Sequence, residues 1–333
     1  MADKRKDLDC SRYGVTDEVA EQCFGFYLPD TFAMLPFVSA VEPLRAANRY
    51  SGKALYSWRL IGDGNAEAIA NNAMSLTVDQ SIHDGGKFDR LIVCGPHEPH
   101  EFDNVQALRA LRRYASSGTV IGALDSGSYL LAKADLIKHR RCTIHWENLP
   151  GFREDFPRCN VSSELFELDA GLFTCAGGSA ALDMMLALIR QDHGEALSMQ
   201  VAELFISARS REATDPQRRS IVERSGVYHA AVVSCIELME SNLEQPLSTT
   251  ELAAMVKLSP RQLERLFRTH LRTTPTLYYQ QIRLKAGYEL LRQTTLSVLE
   301  VSTAVGFSST DYFSRRFRVL FGFTPTASRK QQR

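Results

Sequence analysis

Asp125 has the most distinctive chemical setting in the sequence. It follows the apolar run 119–124 and opens the small-residue turn Asp-Ser-Gly-Ser, after which helix-forming residues begin at once. A strand, an abrupt turn and an immediate helix form an elbow that exposes one side chain at the carboxyl edge of a sheet, beside a helix N-terminus. A carboxylate in that position attracts a cation, so the elbow predicts a binding position for a positively charged group.

Other residues are candidates to complete a ligand site around this carboxylate. The small-residue run 176–179 opens a further helix whose N–H groups can bind an anion, and aromatic side chains can face a cation. Core packing is the alternative for the aromatic residues, and a hydrogen-bonded strand position is the alternative for His145. We predict no metal, no cofactor and no catalytic residue. The predicted ligand contacts are Glu42, Asp125, Ser126, Tyr129, Trp146, Gly177 and Gly178.

A second group of residues is suited to reading DNA. Residues 263–275 (LERLFRTHLRTTP) and 313–325 (FSRRFRVLFGFTP) repeat each other at an offset of fifty residues, which drops by one upstream. A single-residue slip in a turn would explain that drop. Each copy has the pattern of helix, turn and helix, with helices expected to start at Ser259 and Ser308. The predicted DNA-contacting residues are Arg261, Gln262, Glu264, Arg265 and Arg268 in the first copy, and Ser309, Thr310, Asp311, Arg315 and Arg318 in the second.

The spacing and charge of the two copies fit a DNA duplex. Residues 277–293 predict a connecting helix of about 25 Å, which would hold two recognition helices roughly 34 Å apart, near one turn of B-DNA. The whole chain has 39 basic and 39 acidic residues, yet 13 Lys and Arg stand against 4 Asp and Glu from Arg261 onward. Such a concentration of positive charge is typical of phosphate binding. A helical hairpin within a bundle is the alternative for one unit alone.

The order of elements places the two groups in different domains. Strand-like runs at 23–28, 57–61, 75–78, 88–94 and 119–124 alternate with helical patterns at 32–48 and 104–116. This alternation predicts a doubly wound, mostly parallel α/β sheet sandwich, followed by an all-α domain. Leu35, Val38 and Val105 are expected to face the core of the α/β domain. The predicted boundaries are a disordered start at 1–19, an α/β domain at 20–208, a linker at 209–225 and the DNA-binding domain at 226–330.

Composition excludes several other classes of protein. The seven cysteines are scattered, odd in number and without metal-ligand spacing, which predicts reduced thiols in a cytoplasmic protein. The start MADKRKDLD is too charged for a signal peptide, and no apolar run approaches eighteen residues. We therefore expect neither export nor a membrane partner.

The duplicated unit resembles the AraC/XylS family of transcription regulators through its Phe-x-x-x-Phe and Thr-Pro positions. The stretch IGALDSGSYLLAKADLIKHRRCTIHW, together with FELDAGLFTCAGGSAALDMMLALI, resembles the PfpI-like branch of the class I glutamine amidotransferase-like fold. Nearly the whole chain is similar to the GlxA-type regulators, which join these two parts. The resemblance implies a ligand-responsive activator of a catabolic operon that binds double-stranded DNA, contacts RNA polymerase and forms a homodimer.

Two other functions stay open beside this one. The first is a PfpI-like amidohydrolase or glyoxalase-type enzyme with a DNA tether, but enzymes of that branch carry a cysteine at the elbow and this chain has Asp125. The second is a structural α/β protein with an accessory helical domain. For the effector, the run SAVEPLRAANRYSG resembles regulators of betaine and carnitine catabolism, which implies a quaternary ammonium ligand. An α-amino acid such as arginine is the rival.

Overall fold

The computed structural model describes residues 22–169, 171–207 and 210–330. It divides into two compact units, one ending at Gln217 and one beginning at Arg218. The predicted disordered segment 1–19 lies outside the described residues. The division falls within the segment 209–225 that the sequence predicts as a linker, and the described part of this segment is ordered against one unit or the other.

The first unit contains all the strands. They are β1 (Gln22–Tyr27), β2 (Tyr56–Gly62), β3 (Glu67–Ile69), β4 (Ser75–Thr77), β5 (Gln80–Ser81), β6 (Arg90–Cys94), β7 (Val120–Leu124), β8 (Arg141–Thr143), β9 (Asn160–Ser162), β10 (Phe166–Asp169) and β11 (Leu172–Cys175). Its helices are α1 (Met34–Ser51), α2 (Val105–Ser116), α3 (Gly127–Lys133), α4 (Leu149–Asp155), α5 (Ala180–His193) and α6 (Glu195–Leu204).

Seven strands form one sheet in the order β10-β11-β7-β6-β1-β2-β5. Every neighbouring pair is parallel except β10 with β11. Helices α1, α5 and α6 bury one hydrophobic core on one face, and α2, α3 and α4 bury a second core on the other. The predicted doubly wound α/β class is confirmed. The run 75–78 instead forms β4 of a separate antiparallel hairpin with β3.

Three residues expected in the core lie at the surface. Leu35 is 60% exposed, Val38 41% and Val105 54%. In α1 the buried stripe passes through Phe37, Ala40, Leu44 and Ala47 at helical spacing, so Leu35 and Val38 fall on the opposite side. In α2, Val105 is the first helical residue, two positions before the buried residues begin at Ala107.

The second unit is entirely helical in the part that the structure describes. Its helices are α7 (Ile221–Ser225), α8 (Ala230–Ser241), α9 (Thr249–Met255), α10 (Pro260–Leu271), α11 (Pro275–Gln293), α12 (Val298–Ala304), α13 (Thr310–Phe321) and α14 (Pro325–Lys330). Helices α9 and α10 form the first helix-turn-helix unit, and α12 and α13 form the second. Nineteen residues make α11 about 28 Å long. In the described residues of the chain, no helix is long and apolar enough to cross a membrane.

Matching caps show that the two units are structural repeats. Ser248 and Ser297 begin α9 and α12 with the same capping box to a Glu three residues later. Lys257 and Gly306 both have positive φ in the turns that follow. The second recognition helix is capped by Ser309 and not by Ser308, whereas Ser259 caps the first. The second turn is therefore one residue longer, which confirms the slip predicted from the offset.

Candidate functional site

The elbow at Asp125 is held by backbone hydrogen bonds from both sides. Its φ of 60° lies in the left-handed region, which Asp tolerates better than most residues. The Asp125 amide donates to Cys175 O at 2.9 Å, and the His145 amide donates to Asp125 O at 3.4 Å. The Ser126 amide donates to Asp125 Oδ1 at 2.9 Å. The carboxylate therefore has a fixed direction, between the end of β11 and the loop that follows β8.

Glycines allow the neighbouring chains to approach the elbow closely. A Cβ on Gly177, whose φ is 92°, would lie 2.4 Å from Asp125 Oδ2. A Cβ on Gly95 would lie 2.2 Å from Ser126 Oγ, and one on Gly127 would lie 2.2 Å from Val93 O. Such distances exclude any side chain at these positions without movement of the backbone. The ends of β6, β7 and β11 thus meet around one partly exposed carboxylate.

Burial dominates the electrostatics of this carboxylate. Burial raises the pKa of Asp125, while the nearby His145, the Ser126 amide and His97 act in the opposite direction and Glu147 adds to the rise. His145 Nδ1 also lies 3.8 Å from Glu147 Oε2. A cationic ligand would stabilise the ionised carboxylate in place of the water that burial removes.

Two cysteines lie near the elbow, and neither has the character of a nucleophile. Burial raises the pKa of Cys175 to about 12, with the charge of Asp125 contributing in the same direction. Burial and the same charge raise the pKa of Cys94 still further above its ordinary value. Both residues are held as neutral thiols, whereas thiol catalysis needs the thiolate.

The chain that leaves the α/β unit is fastened on two sides of this site. The Arg211 guanidinium and amide bind the buried Asp183 at 2.7 to 2.9 Å, and Arg211 Nη2 donates to Ser179 Oγ, beyond Gly177. Gln217 Nε2 donates to Thr143 Oγ1, Ile144 O and Glu164 O at 2.8 to 3.1 Å. We call residues 211–217 the exit strap. One end is tied to the loop before α5, and the other to the residues that precede His145.

The helical unit presents two matching rows of side chains. Arg261, Arg265 and Arg268 lie at i, i+4 and i+7 on the exposed side of α10, and Asp311, Arg315 and Arg318 occupy the same places on α13. The opposite faces are buried through Leu263 and Phe267 in α10, and through Phe313 and Phe317 in α13. Each row is therefore free to face a groove while its helix stays packed.

Some predicted DNA contacts are already engaged within the protein. Gln262 Oε1 accepts from the Ser259 amide as part of the helix cap, and Ser309 Oγ accepts from the Tyr312 amide. Thr310 Oγ1 lies 3.1 Å from Ser302 Oγ, and Glu264 lies 3.7 Å from Arg268. Arg265 and Arg315 form no ion pair within the described ranges.

Two family models match the chain: the DJ-1/PfpI family over residues 26–191 and a helix-turn-helix domain over residues 252–331. The HTH-type transcriptional regulator CdhR of Pseudomonas aeruginosa is 43% identical, over 92% of this chain and 91% of that protein. The HTH-type transcriptional regulator GlxA of Rhizobium meliloti is 38% identical, over 93% of this chain and 96% of that protein. The chain belongs to the GlxA-type AraC-family transcriptional regulators.

A solved structure shares part of the fold. An AraC family transcriptional regulator from Pseudomonas putida aligns with 55% of this chain and 99% of its own, with a TM-score of 0.51 and 24% identity. That likeness concerns the fold alone. The family membership confirms the predicted combination of a DJ-1/PfpI domain with an AraC-type DNA-binding domain.

Within this family fold, only some of the predicted ligand contacts come together. Asp125, Ser126 and Gly177 meet at the elbow, with Gly178 next in the chain and Trp146 following His145. Ser126 is buried, and its hydroxyl donates to Pro96 O, so its amide is the part that acts at the site.

Tyr129 and Glu42 are not where a ligand cage would need them. Tyr129 is 2% exposed, its ring packs on Phe152 and Phe156, and its hydroxyl donates to Asp155. As the third residue of α3, it points into the core on the α2–α4 side of the sheet. Glu42 forms an ion pair with Arg45 at 2.6 Å, about 12 Å along α1 from the helix start at the sheet edge. The predicted aromatic cage therefore loses its Tyr129 wall.

Sequence reasoning missed His97 and Gln217. His97 lies in the loop after β6, and its amide donates to Thr31 O at 3.1 Å while its charge acts on Asp125. The rule that ligands bind beyond the carboxyl ends of parallel strands could have found His97. Gln217 lies in a polar segment without periodicity, where nothing in the sequence signals a tertiary contact.

Proposed function

We propose that the protein is a ligand-responsive, sequence-specific regulator that activates transcription of a catabolic operon. In this proposal the two recognition helices enter successive major grooves, and a small molecule binds at the Asp125 elbow. Binding to RNA polymerase, assembly as a homodimer and a cytoplasmic location belong to the same proposal, because the family resemblance implies them. The observation that carries it is the pair of matching exposed rows on α10 and α13.

The two rows support recognition of two different half-sites. An exposed Arg can donate two hydrogen bonds to guanine in the major groove, whereas Asp accepts from cytosine. Arg265 and Arg315 match each other, but Arg261 of the first row corresponds to Asp311 of the second. We therefore expect each subunit to read an asymmetric pair of sequences.

The chemistry of the elbow supports binding without turnover. The nucleophile position holds a carboxylate, and the pKa of both neighbouring thiols is raised by burial. His145 is held at the elbow by the hydrogen bond of its amide to Asp125 O, but the reactive thiolate of the enzyme branch has no counterpart at this elbow. The alternative of an amidohydrolase or glyoxalase-type enzyme therefore lacks its central group.

The geometry of the elbow favours an effector with a cationic end. A partly buried carboxylate suits a trimethylammonium group through Coulomb attraction, and Trp146, the partly exposed neighbour of His145 in the chain, could add a cation–π contact. With Tyr129 in the core, Trp146 is the aromatic residue left for this role. The carboxylate of a betaine-like ligand would find N–H donors at Gly178 and the start of α5. Arginine is the competing ligand. It also has a cationic end, but its guanidinium would need several hydrogen-bond acceptors.

The exit strap offers a route from the elbow to the DNA-binding unit. Its ties at Arg211 and Gln217 hold the chain against the two loops that flank Asp125, immediately before the second unit begins at Arg218. A ligand that shifts either loop changes the hydrogen bonds of the strap. We propose that effector binding reaches the helical unit through these bonds.

A mobility-shift assay tests the proposal. Full-length protein is titrated against the DNA upstream of its own operon at two salt concentrations, with and without glycine betaine, carnitine, dimethylglycine or arginine. We expect specific binding that weakens steeply with salt, because arginines displace counterions from phosphates. We also expect one of the ligands to change the affinity. Equal affinity for unrelated DNA, or ligand hydrolysis by the pure protein, would reject the proposal.

A further inference from the structure

The helical unit has two hydrophobic cores, and one helix runs through both. Tyr279 and Ile282 of α11 belong to the core of the first helix-turn-helix unit, whereas Leu284 and Leu290 belong to the core of the second. The boundary between the cores therefore falls at Arg283. A single helix that joins two separately packed helix-turn-helix units would bend or twist under thermal motion unless other contacts link the two units across this boundary.

Arg283 makes contacts on both sides of the boundary. Its guanidinium carbon lies 4.2 Å from the ring centroid of Phe307, in the turn of the second unit, and 5.8 Å from that of Tyr279 in the first. Both distances are within the range of cation–π contact. Arg283 Nε is buried and has no hydrogen-bond partner among the described residues. The side chain of Arg283 thus lies against two aromatic rings, one from each helix-turn-helix unit.

Gly306, which precedes Phe307, lets the backbone of the second helix-turn-helix unit come close to the segment that precedes the first helix-turn-helix unit. A Cβ on Gly306 would lie 2.5 Å from Leu243 O and 2.7 Å from Glu244 O, in the segment between α8 and α9. The equivalent turn residue of the first unit is Lys257, which is exposed. The left-handed backbone conformation does not by itself require glycine, because Lys257 adopts it in the first turn. The close contact of Gly306 with the backbone of Leu243 and Glu244 explains why the second turn has glycine.

A third tie fixes the second recognition helix to α11. Gln280 Nε2 donates to Tyr312 Oη at 2.7 Å, and Arg316 Nε donates to Gln280 Oε1 at 2.7 Å. Gln280 lies one turn before Arg283, on the part of α11 that packs in the first core. Its amide thus links the first unit to two residues of α13.

We propose that Arg283 is a positioning residue that sets the distance and angle between the two recognition helices, with Gly306 and Gln280 as its supports. The inference rests on the proposed function, because it requires that both helices bind DNA. Its consequence is specificity for the spacing between two half-sites. Without the contacts of Arg283 with Phe307 and Tyr279, each recognition helix would still read its own sequence. The pair would then accept more than one spacing between the two half-sites.

The test measures how affinity depends on half-site spacing. Duplexes are selected from a randomised library by full-length wild-type protein, and footprinting locates the two protected grooves. One or two base pairs are then inserted between the grooves, each turning one half-site by about 35° relative to the other. For wild type we expect affinity to fall at least about tenfold with two added pairs, since one half-site is then lost. For Arg283→Met we expect a fall of about threefold or less.

The ratio of affinities separates positioning from folding. Partial unfolding lowers the apparent affinity for every duplex by the same factor, so it leaves the ratio unchanged. Arg283→Lys keeps the charge but not the flat guanidinium, and we expect an intermediate ratio. Lys285→Ala removes an exposed charge from the same helix, and it should keep the full wild-type ratio.

Two outcomes would contradict different statements. If wild type protects two grooves and both Arg283 variants keep the tenfold penalty, the positioning role is wrong while the proposed function stands. If wild type protects one groove or none, two-groove binding itself fails. If Arg283→Met does not fold, the ratio of the Arg283→Lys variant decides: a wild-type ratio overturns the inference, and a smaller one supports it.

Discussion

At the scale of single residues, Asp125 and Arg265 are the proposed contacts to the effector and to DNA. Asp125 lies in a confined elbow with a fixed backbone and a carboxylate against Gly177. Arg265 lies on an open helix face, opposite the buried Leu263 and Phe267. In the proposed function, burial strengthens the interaction of Asp125 with a cation, and exposure leaves Arg265 free to enter a groove.

The first residue-scale prediction concerns Asp125→Asn. Asn keeps the shape and tolerates the left-handed backbone, but it removes the charge. We expect about 10- to 100-fold weaker binding of a cationic effector in calorimetric titration, with unchanged affinity of the protein for DNA. Asp103→Asn, which alters an exposed carboxylate, is the matched control.

The same pair of proteins should differ in pH dependence. Burial raises the pKa of Asp125, so protons compete with a cationic ligand as the pH falls. As the pH falls, wild-type affinity for the effector should therefore decrease more steeply than the weaker affinity of Asp125→Asn. Identical pH profiles for the two proteins would show that Asp125 does not contact the cation.

The second residue-scale prediction concerns Arg265→Ala. Loss of a base contact should cost about 1 to 3 kcal/mol on the preferred sequence and relax specificity at one base pair. Binding to a set of single-base variants of the selected duplex measures both effects. A uniform loss on all sequences would instead identify Arg265 as a phosphate contact. Lys285→Ala provides a comparison in which only a uniform loss is expected.

At the scale of elements, periodicity predicted most of the fold, and tertiary contacts decided the rest. The alternation of strands and helices, the elbow and both helix-turn-helix units follow from local patterns. The positions of Leu35 and Tyr129 do not, because each helix offers several apolar residues and only packing decides which ones face the sheet. The start of α13 depended on a cap one residue later than expected, at Ser309.

The exit strap also lies beyond sequence reasoning, and it carries a prediction. Gln217→Ala removes three hydrogen bonds to Thr143, Ile144 and Glu164. We expect effector affinity and effector-free DNA affinity to stay near wild type, because neither contact surface changes. The effect of the ligand on DNA affinity should shrink by about fivefold or more, within the usual range of coupling energies.

Fluorescence anisotropy with and without the effector measures this coupling. Gln106→Ala, an exposed glutamine on α2, should keep the wild-type response. Full ligand response in the Gln217→Ala protein would show that the signal does not pass through the strap.

At the scale of the whole molecule, the two units differ in what stabilises them. The α/β unit contains a nearly buried ion pair between Arg90 of β6 and Asp192 of α5, with two hydrogen bonds of 2.6 and 2.7 Å. Tyr56 of β2 also donates to Asp192 at 3.0 Å. The helical unit contains an aromatic cluster around Phe317, and exposed arginines of like charge lie on α10 and α13.

The ion pair predicts a pH-dependent stability for the α/β unit. Burial alone would raise the pKa of Asp192, but the hydrogen bonds and charge of Arg90 outweigh it and leave the pKa below its ordinary value. A lowered folded-state pKa stabilises the fold above the unfolded pKa of about 3.9 and loses that effect as the pH falls further. Asp192→Asn should therefore lower the free energy of unfolding by about 3 kcal/mol at pH 7.

Urea unfolding of both proteins at pH 7 and at pH 3.5 checks this sign. The difference between wild type and Asp192→Asn should be largest at pH 7 and smaller at pH 3.5. A difference that is independent of pH would mean that the charge of Asp192 contributes nothing to the fold. Asp103→Asn should match wild type at neutral pH.

Methylation protection of guanine N7 tests the central claim, that one chain reads two successive major grooves, most directly. On a duplex selected by the full-length protein, we predict two clusters of protected guanines about ten base pairs apart. Arg265→Ala should remove protection from one cluster, and Arg315→Ala from the other. A single cluster, or two clusters that both variants weaken equally, would contradict the account.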